Sequence, residues 1–246
     1  MRKIIYSFIV DSAPIFAYQG HILASSIIET CSANPGEIYV HCSAGVDEYI
    51  RNIFLNLGVN VLDFEPFGDQ KYCNKLVQIP ALANVEFDIL VLLDTDTIFV
   101  EDMSKEFSAE AVSGKIVDAY NPSLKCLSSI FKDADIKAPP IVPVDTGDGL
   151  TFAGNFNGGC YVIPKKFASE LGREWRKWAQ FLLSDNHHLA SEGKTAHVDQ
   201  VSFAMACASL GLPTRHMPTN HNYFTHFEAQ KAYFDPQSQI CMLHYH

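Results

Sequence analysis

The stretch Asp88-Ile89-Leu90-Val91-Leu92-Leu93-Asp94-Thr95-Asp96-Thr97 constrains this chain more than any other. Five consecutive apolar residues, Ile89 to Leu93, specify a strand covered on both faces, as in the middle of a parallel sheet. Two aspartates then follow at the strand's end, and alternation along an extended backbone directs Asp94 and Asp96 to one side. Neighbouring carboxylates repel, and a bare one in water-poor surroundings is costly. A divalent cation relieves both problems, and carboxylate oxygen is the ligand that Mg²⁺ and Mn²⁺ favour. The plainer reading makes both residues a solvated strand terminus.

The pattern around this strand repeats. Ile4 to Val10 reads as a first strand ending at Asp11, followed by a helix from Pro14 to about Cys31 that stops at Asn34-Pro35-Gly36. Glu37 to Cys42 is the second strand, Asp47 to Leu57 a helix closed by Gly58, and Val59 to Phe64 the third strand. A helix over Gln70 to Asn84, broken or kinked at Pro80, precedes the aspartate-bearing strand. This alternation predicts an α/β fold: a Rossmann-like, mostly parallel sheet with helices on both faces, binding its ligand beyond the strands' carboxyl ends. Asp11, Asp94 and Asp96 all fall at such ends.

The second half is less regular. Lys132 to Gly149, with Pro139, Pro140, Pro143, Gly147 and Gly149, reads as a mobile loop over a site. Gly159 to Ile163 is a short strand stopped by Pro164. Lys165 to Ser184 is an amphipathic helix with Phe167, Leu171, Trp175, Trp178 and Leu182 on one stripe. Its two tryptophans read as core rather than as a platform for stacking a sugar. Val198 to Leu210 is a further helix, and Ile240 to Leu243 a last strand before His244-Tyr245-His246.

Composition excludes several classes of partner. With 18 Lys and Arg against 28 Asp and Glu, the formal net charge of −10 repels phosphate backbones and disfavours nucleic acid. An anionic ligand would need local positive charge, which again favours a metal. The seven cysteines lack a C-x-x-C and read as thiols of a reducing compartment. No apolar run reaches membrane-spanning length. The start, Met1-Arg2-Lys3 before Ile4 to Val10, imitates a signal peptide. Its apolar part is short, includes Ser7 and lacks a cleavage site, so it reads as a strand.

Two motifs mislead. Val40-His41-Cys42-Ser43-Ala44-Gly45-Val46 looks like a tyrosine-phosphatase loop, but Glu48 stands where that chemistry needs an arginine and Arg51 lies three positions too far. Asp94-Thr95-Asp96-Thr97 resembles the first motif of haloacid-dehalogenase phosphatases, whose first Asp attacks phosphorus. That motif belongs on a first strand, whereas this one sits on the fourth.

Three further stretches fall into a pattern with the aspartates: Phe156-Asn157-Gly158-Gly159 before a strand, Asp199-Gln200 opening a helix, and His244 beyond the last strand. Each alone has a dull reading as a turn, an N-cap and a surface imidazole. In this order and spacing, with Val10-Asp11, the segment from Lys75 to Leu82 and Asp94-Thr95-Asp96, they resemble nucleotide-diphosphate-sugar glycosyltransferases of the GT-A fold, most closely glycosyltransferase family 8. The resemblance covers nearly the whole chain. It implies one catalytic domain over residues 1–246, with residues 1–100 holding the nucleotide and 101–246 the acceptor. It further implies that Asp94, Asp96 and His244 bind one Mn²⁺ or Mg²⁺. Val10 and Asp11 are then expected beside the base of a UDP-sugar, Thr95 near the ribose, and Lys75 (or its neighbour Asn74) near the donor. Asn157, Gly158 and Gly159 would line the sugar pocket, with Asp199 and Gln200 beside the anomeric carbon.

The implied activity is transfer of a hexose, with retention, to a glycan, protein or small-molecule acceptor. The alternatives are a phosphatase using Asp94 and Asp96, and a GT-A-like domain that binds without turnover. Family members usually continue past the histidine with a Gly and a Lys that touch phosphate, whereas this sequence stops at His246. The expectation is therefore either a trimmed C-terminus or an enzyme without that clamp, cytoplasmic, or peripheral to a membrane if a tail is missing. His246 is a second candidate for the ligand role of His244, while His216, His221 and His226 form no zinc pattern. The departure Asn157-Gly158-Gly159 from the usual Asn-Ser/Ala-Gly leaves the donor sugar open.

Overall fold

A computed structural model describes residues 2–185, 187–225 and 237–245. In chain order it contains β1 (Ile4–Val10), α1 (Pro14–Thr30), β2 (Ile38–Cys42), α2 (Glu48–Asn56), β3 (Asn60–Asp63), α3 (Gln78–Ala81), β4 (Ile89–Leu93) and β5 (Thr97–Phe99). There follow β6 (Val112–Gly114), α4 (Leu124–Asp133), β7 (Ile141–Pro143), β8 (Leu150–Phe152), β9 (Cys160–Pro164) and α5 (Lys165–Ser184). The last are α6 (His187–Ser191), α7 (Val198–Ser209), β10 (Thr214–His216), β11 (Tyr223–Phe224) and β12 (Met242–His244).

Seven strands form the central sheet in the order β10-β6-β9-β4-β1-β2-β3. Only β9 runs against its neighbours, antiparallel to β4 and β6. All five residues of β4 are buried, and period-two alternation divides them between two cores. Leu90 and Leu92 pack with α5 and α7 on one face, and Ile89, Val91 and Leu93 with α1 and the β2 residues on the other. Because β9 is reversed, its amino end, preceded by Asn157 to Gly159, lies at the same sheet edge as the carboxyl ends of β1, β4 and β6. One edge thus collects loops from both halves of the chain.

A second sheet, β11-β12-β5, decides the site. β12 pairs antiparallel with β5, His244 opposite Thr97, and Tyr245 N donates to Asp96 O at 2.9 Å. A residue near the C-terminus is thereby set against the turn following β4.

The expected elements of the first half appear within a residue or two, except the helix over Gln70 to Asn84. There the chain makes a 3₁₀ segment, Tyr72–Val77, and one short α-turn, α3. The Asp69 carboxylate captures the N–H groups of Lys71 and Cys73, at 2.9 Å each, and Pro80 has no N–H with which to continue a longer helix. The 132–149 stretch is not wholly irregular: β7 lies within it and pairs with β8. Strands β5, β6, β8, β10 and β11 carry too few residues for period reading, whereas α4, with Leu127, Ile130 and Phe131 buried at helical spacing, is an element the expected set left out.

Trp175 and Trp178 are both core residues. Trp175 meets Tyr161 and Phe203 edge-on, at 5.8 and 4.9 Å, and its indole N–H donates to the Asp199 carbonyl at 2.8 Å. Trp175→Ala should cost about 3–5 kcal/mol. Trp175→Phe, which keeps a ring and leaves the Asp199 carbonyl its bond from Ser202 Oγ at 3.0 Å, should cost about 0.5–1.5 kcal/mol. Urea unfolding of the two variants beside the native protein measures both.

Candidate active site

A cleft of about 1010 Å³ opens along the collected sheet edge. Its lining includes Asp11, Asn74, Lys75, Asp94, Thr95, Asp96, Asn157, Gly158, Asp199, Gln200 and His244. Two of the expected site residues stand apart from it. Val10 is fully buried, with its side chain against Gly20 and its carbonyl accepting from Ser43 N at 3.2 Å. The neighbours Ile9 and Asp11 line the cleft instead. Gly159 lies behind the lining, where its lack of a side chain matters: a Cβ there would come within 2.5 Å of the His244 ring.

Asp94 and Asp96 face each other through a turn rather than through strand alternation, since residues 94–96 leave the sheet before β5 begins. Thr97 Oγ1 donates to Asp94 O at 2.8 Å and Gly159 O accepts from Asp94 N at 3.2 Å, which shapes the turn. His244 Nε2 lies 3.2 Å from Asp96 Oδ1. One ligating atom from each of Asp94, Asp96 and His244 falls within 4.8 Å of the others. Two carboxylate oxygens and an imidazole nitrogen at this separation fit a hard or borderline divalent cation. The surroundings fit one too: the lining carries Asp11, Asp94, Asp96, Asp118 and Asp199 against Lys71 and Lys75, so an anionic ligand needs further positive charge.

Lys75, rather than Asn74, touches the acid pair. Its Nζ lies 2.5 Å from Asp94 Oδ1 and donates to the Gly158 carbonyl at 2.6 Å. Burial pulls its pKa down, but Asp94, Asp199 and Asp96 outweigh this and hold it above the ordinary lysine value. Asn74 is committed to its own loop, accepting from Phe67 N and donating to Gln70 O. Asp11 Oδ1 accepts from Ser43 Oγ and Ser12 N at 2.8 and 2.7 Å. Thr95 Oγ1 approaches Gln19 at 3.4 Å.

Asp199 sits in the first turn of α7, two positions past the N-cap residue His197. It is buried, and its Oδ1 has no hydrogen-bond partner among the described residues. Burial pushes its pKa up to about 7, with Lys75 pulling it down and Asp94 adding to the rise. Gln200 Nε2 lies 3.0 Å from His197 Nδ1.

Several residues under the cleft escaped the sequence reading. Lys115 is fully buried and bonds Asp118, with Asp145 at 3.5 Å. Asp118 bonds Asn157, and Asn222 joins Asn157 to His244. A lysine and an aspartate three apart, Lys115 and Asp118 on either side of Ile116-Val117, hint at a buried pair, but nothing around Asn222 marks it. Asp133, His187 and His188 form a second, mostly exposed group of possible ligands. His226 and His246 lie outside the described residues.

The tyrosine-phosphatase likeness has no counterpart in the structure. Cys42 is buried, with burial pushing its thiol up to about 11, and Arg51 is spent on Asp63 and the Ser43 carbonyl.

A mostly parallel sheet, an acid pair at its carboxyl edge and a reversed strand delivering a glycine turn together define a GT-A glycosyltransferase. Residues 7–211 match the Rhodobacterales glycosyltransferase domain, and the chain belongs to that family. No curated protein matches it. Among solved structures, it resembles mouse xyloside xylosyltransferase 1 at 14% identity, with 98% of this chain and 96% of that one covered and a TM-score of 0.56. It also resembles the LgtC galactosyltransferase in complex with donor and acceptor sugar analogues, at 13% identity, 98% and 86% coverage and a TM-score of 0.57. An active-site mutant of LgtC aligns with the same identity and coverage and a TM-score of 0.62. The chain is thus a glycosyltransferase by family and GT-A in fold. No helix among the described residues is long and apolar enough to cross a membrane.

The raised pKa of Asp199 has a stability consequence. Between about 4 and about 7 the unfolded chain releases this proton and the folded one keeps it, so Asp199 lowers stability as pH rises through that window. In metal-free protein, Asp199→Asn should therefore gain stability relative to the native chain from pH 5 to pH 8 and hold that margin above it. Urea midpoints at the two pH values test this, and a difference independent of pH would contradict the assignment.

Proposed function

We propose that this glycosyltransferase moves a hexose from a UDP-sugar to its acceptor, with retention, and that Asp94, Asp96 and His244 hold one Mn²⁺ or Mg²⁺ for the reaction. The observation that carries the reading is the convergence of those three side chains, from two distant parts of the sequence, on the floor of the cleft. When bound, the cation supplies Lewis-acid stabilisation of the departing diphosphate. Residues 1–100 provide the nucleotide side, where Ile9 and Asp11 suit the base and Thr95 the ribose. Residues 101–246 provide the sugar and acceptor side, and the segment 132–149 is assigned to the acceptor.

Each remaining part of the chemistry falls to a side chain already described. Lys75 brings an ammonium into an otherwise acidic cleft, where it can meet donor phosphate once released from Asp94. Asn157 and Gly158 border the space left for the sugar, and a Cβ at Gly158 would lie 3.1 Å from Lys75 Nζ and 3.6 Å from Asp199 Oδ2. The missing methyl thus keeps that corner open. As the sugar–phosphate bond lengthens the ring gains oxocarbenium character, and the Asp199 carboxylate or the Gln200 amide oxygen can stabilise it electrostatically. An inverting reaction would instead need a carboxylate base on the far face, and Asp199 would have to serve.

Calorimetric titration with UDP should give binding with Mn²⁺ present and little without it. Asp96→Ala should lose both that binding and transfer while keeping its melting transition. UDP affinity indifferent to the metal would defeat the cation reading. Proton NMR of the first product released should show the donor's anomeric configuration preserved, and an inverted anomeric proton would refute retention.

A further inference from the structure

An imidazole binds a metal through an unprotonated nitrogen, so the position of its other proton decides which nitrogen is available. For His244 a chain of hydrogen bonds runs to Nδ1 and requires the proton there. The starting point is the main-chain N–H of Gly159, which can only donate, and it meets Asn157 Oδ1 at 2.9 Å. Asn157 therefore turns its oxygen inward and its Nδ2 toward Asp118 Oδ2, at 3.2 Å. The other Asp118 oxygen receives the Lys115 ammonium, which confirms the carboxylate as acceptor. The same Asn157 oxygen faces the side-chain amide of Asn222 at 3.0 Å, so Asn222 presents its NH₂ there. The remaining Asn222 atom, its carbonyl oxygen, lies 3.0 Å from His244 Nδ1. That oxygen can only accept, so this bond requires hydrogen on Nδ1; Asp96 Oδ1, 3.2 Å from Nε2, is an acceptor too, and a cation held there takes the place of a proton on Nε2.

We propose that Asn222 is a positioning residue for the cation site: it holds the Nδ1–H form of His244, so that the Nε2 lone pair is offered beside Asp94 and Asp96. The proposal rests on the cation reading given above, and it extends that reading to a residue touching neither donor nor metal. The relay is placed to act this way. Asn222 and Lys115 are 0% exposed, so water cannot readily replace a broken link. A flip of the Asn222 amide would put NH₂ against Nδ1–H and oxygen against oxygen. The His244 ring is also held in plane, stacked on Phe224 with centroids 4.2 Å apart, and Gly159 leaves room beside it.

The test uses ¹⁵N-labelled, metal-free full chain at a pH where the ring is neutral. Two-bond ¹⁵N–¹H correlations, assigned by their loss in His244→Asn, should show the Nδ1–H tautomer in the native protein. Asn222→Ala should move the ring toward the Nε2–H form that histidine favours in water. It should also weaken Mn²⁺ binding, titrated with the metal alone, by roughly 10–100-fold. Asn222→Asp keeps an acceptor on Nδ1 and should retain the Nδ1–H signature, which a purely structural role would not predict. An Nε2–H tautomer in the native chain overturns the proposal, as does an alanine variant with native tautomer and native Mn²⁺ affinity. If the alanine variant fails to fold, the native and aspartate spectra decide. A native chain that shows Nδ1–H yet binds no Mn²⁺ would instead overturn the cation reading and leave the hold of Asn222 on the tautomer standing.

Discussion

The structure depends on how one cleft accommodates more negative charge than it could bear alone. Asp94, Asp96, Asp118 and Asp199 crowd the carboxyl edge of the sheet, and each would be costly there without compensation. The protein answers locally. Lys75 neutralises Asp94, Lys115 neutralises Asp118 from beneath, and His244 stands against Asp96. Burial still raises the pKa of Asp118 despite Lys115, and that of Asp199 despite Lys75. An additional positive species would relieve this imbalance, which is what the proposed cation supplies.

Geometry makes the crowding possible. In a wholly parallel sheet the edge would collect only the loops following strands. The reversed strand β9 brings the loop preceding it, Asn157 to Gly159, to the same place. The small sheet of β11, β12 and β5 then returns the end of the chain to the turn after β4. The main-chain pairing of His244 with Thr97 does what no local preference could, because it spans more than a hundred residues of sequence. The hydrophobic core takes part as well: Trp175, outside the cleft lining, anchors the Asp199 carbonyl and so helps set the first turn of α7.

Much of the fold was readable because its signals are local. Ile89 to Leu93 could only be a two-sided buried strand, and Lys165 to Ser184 carries its stripe at helical spacing over many turns. The segment after Gln70 departs from the helix its residues suggest, also for a local reason. Helix-compatible residues there are overruled by the capping carboxylate of Asp69 and by Pro80. Short strands such as Val112–Gly114 and Thr214–His216 hold too few residues to show a period at all, and only neighbouring strands define them.

By itself the sequence determined the sheet's central strand, the helices α1, α2, α5 and α7, the acidic pair at the strand's end and the order of motifs resembling family 8. Those are properties of consecutive residues, where periodicity and residue type act directly. Only tertiary structure decided that Ile9 rather than Val10 faces the cleft, that Lys75 rather than Asn74 meets Asp94, and that Lys115, Asp118 and Asn222 lie under the site. These outcomes depend on strand register, on side-chain direction and on hydrogen bonds between residues distant in the chain, and such contacts leave no periodic mark in a sequence.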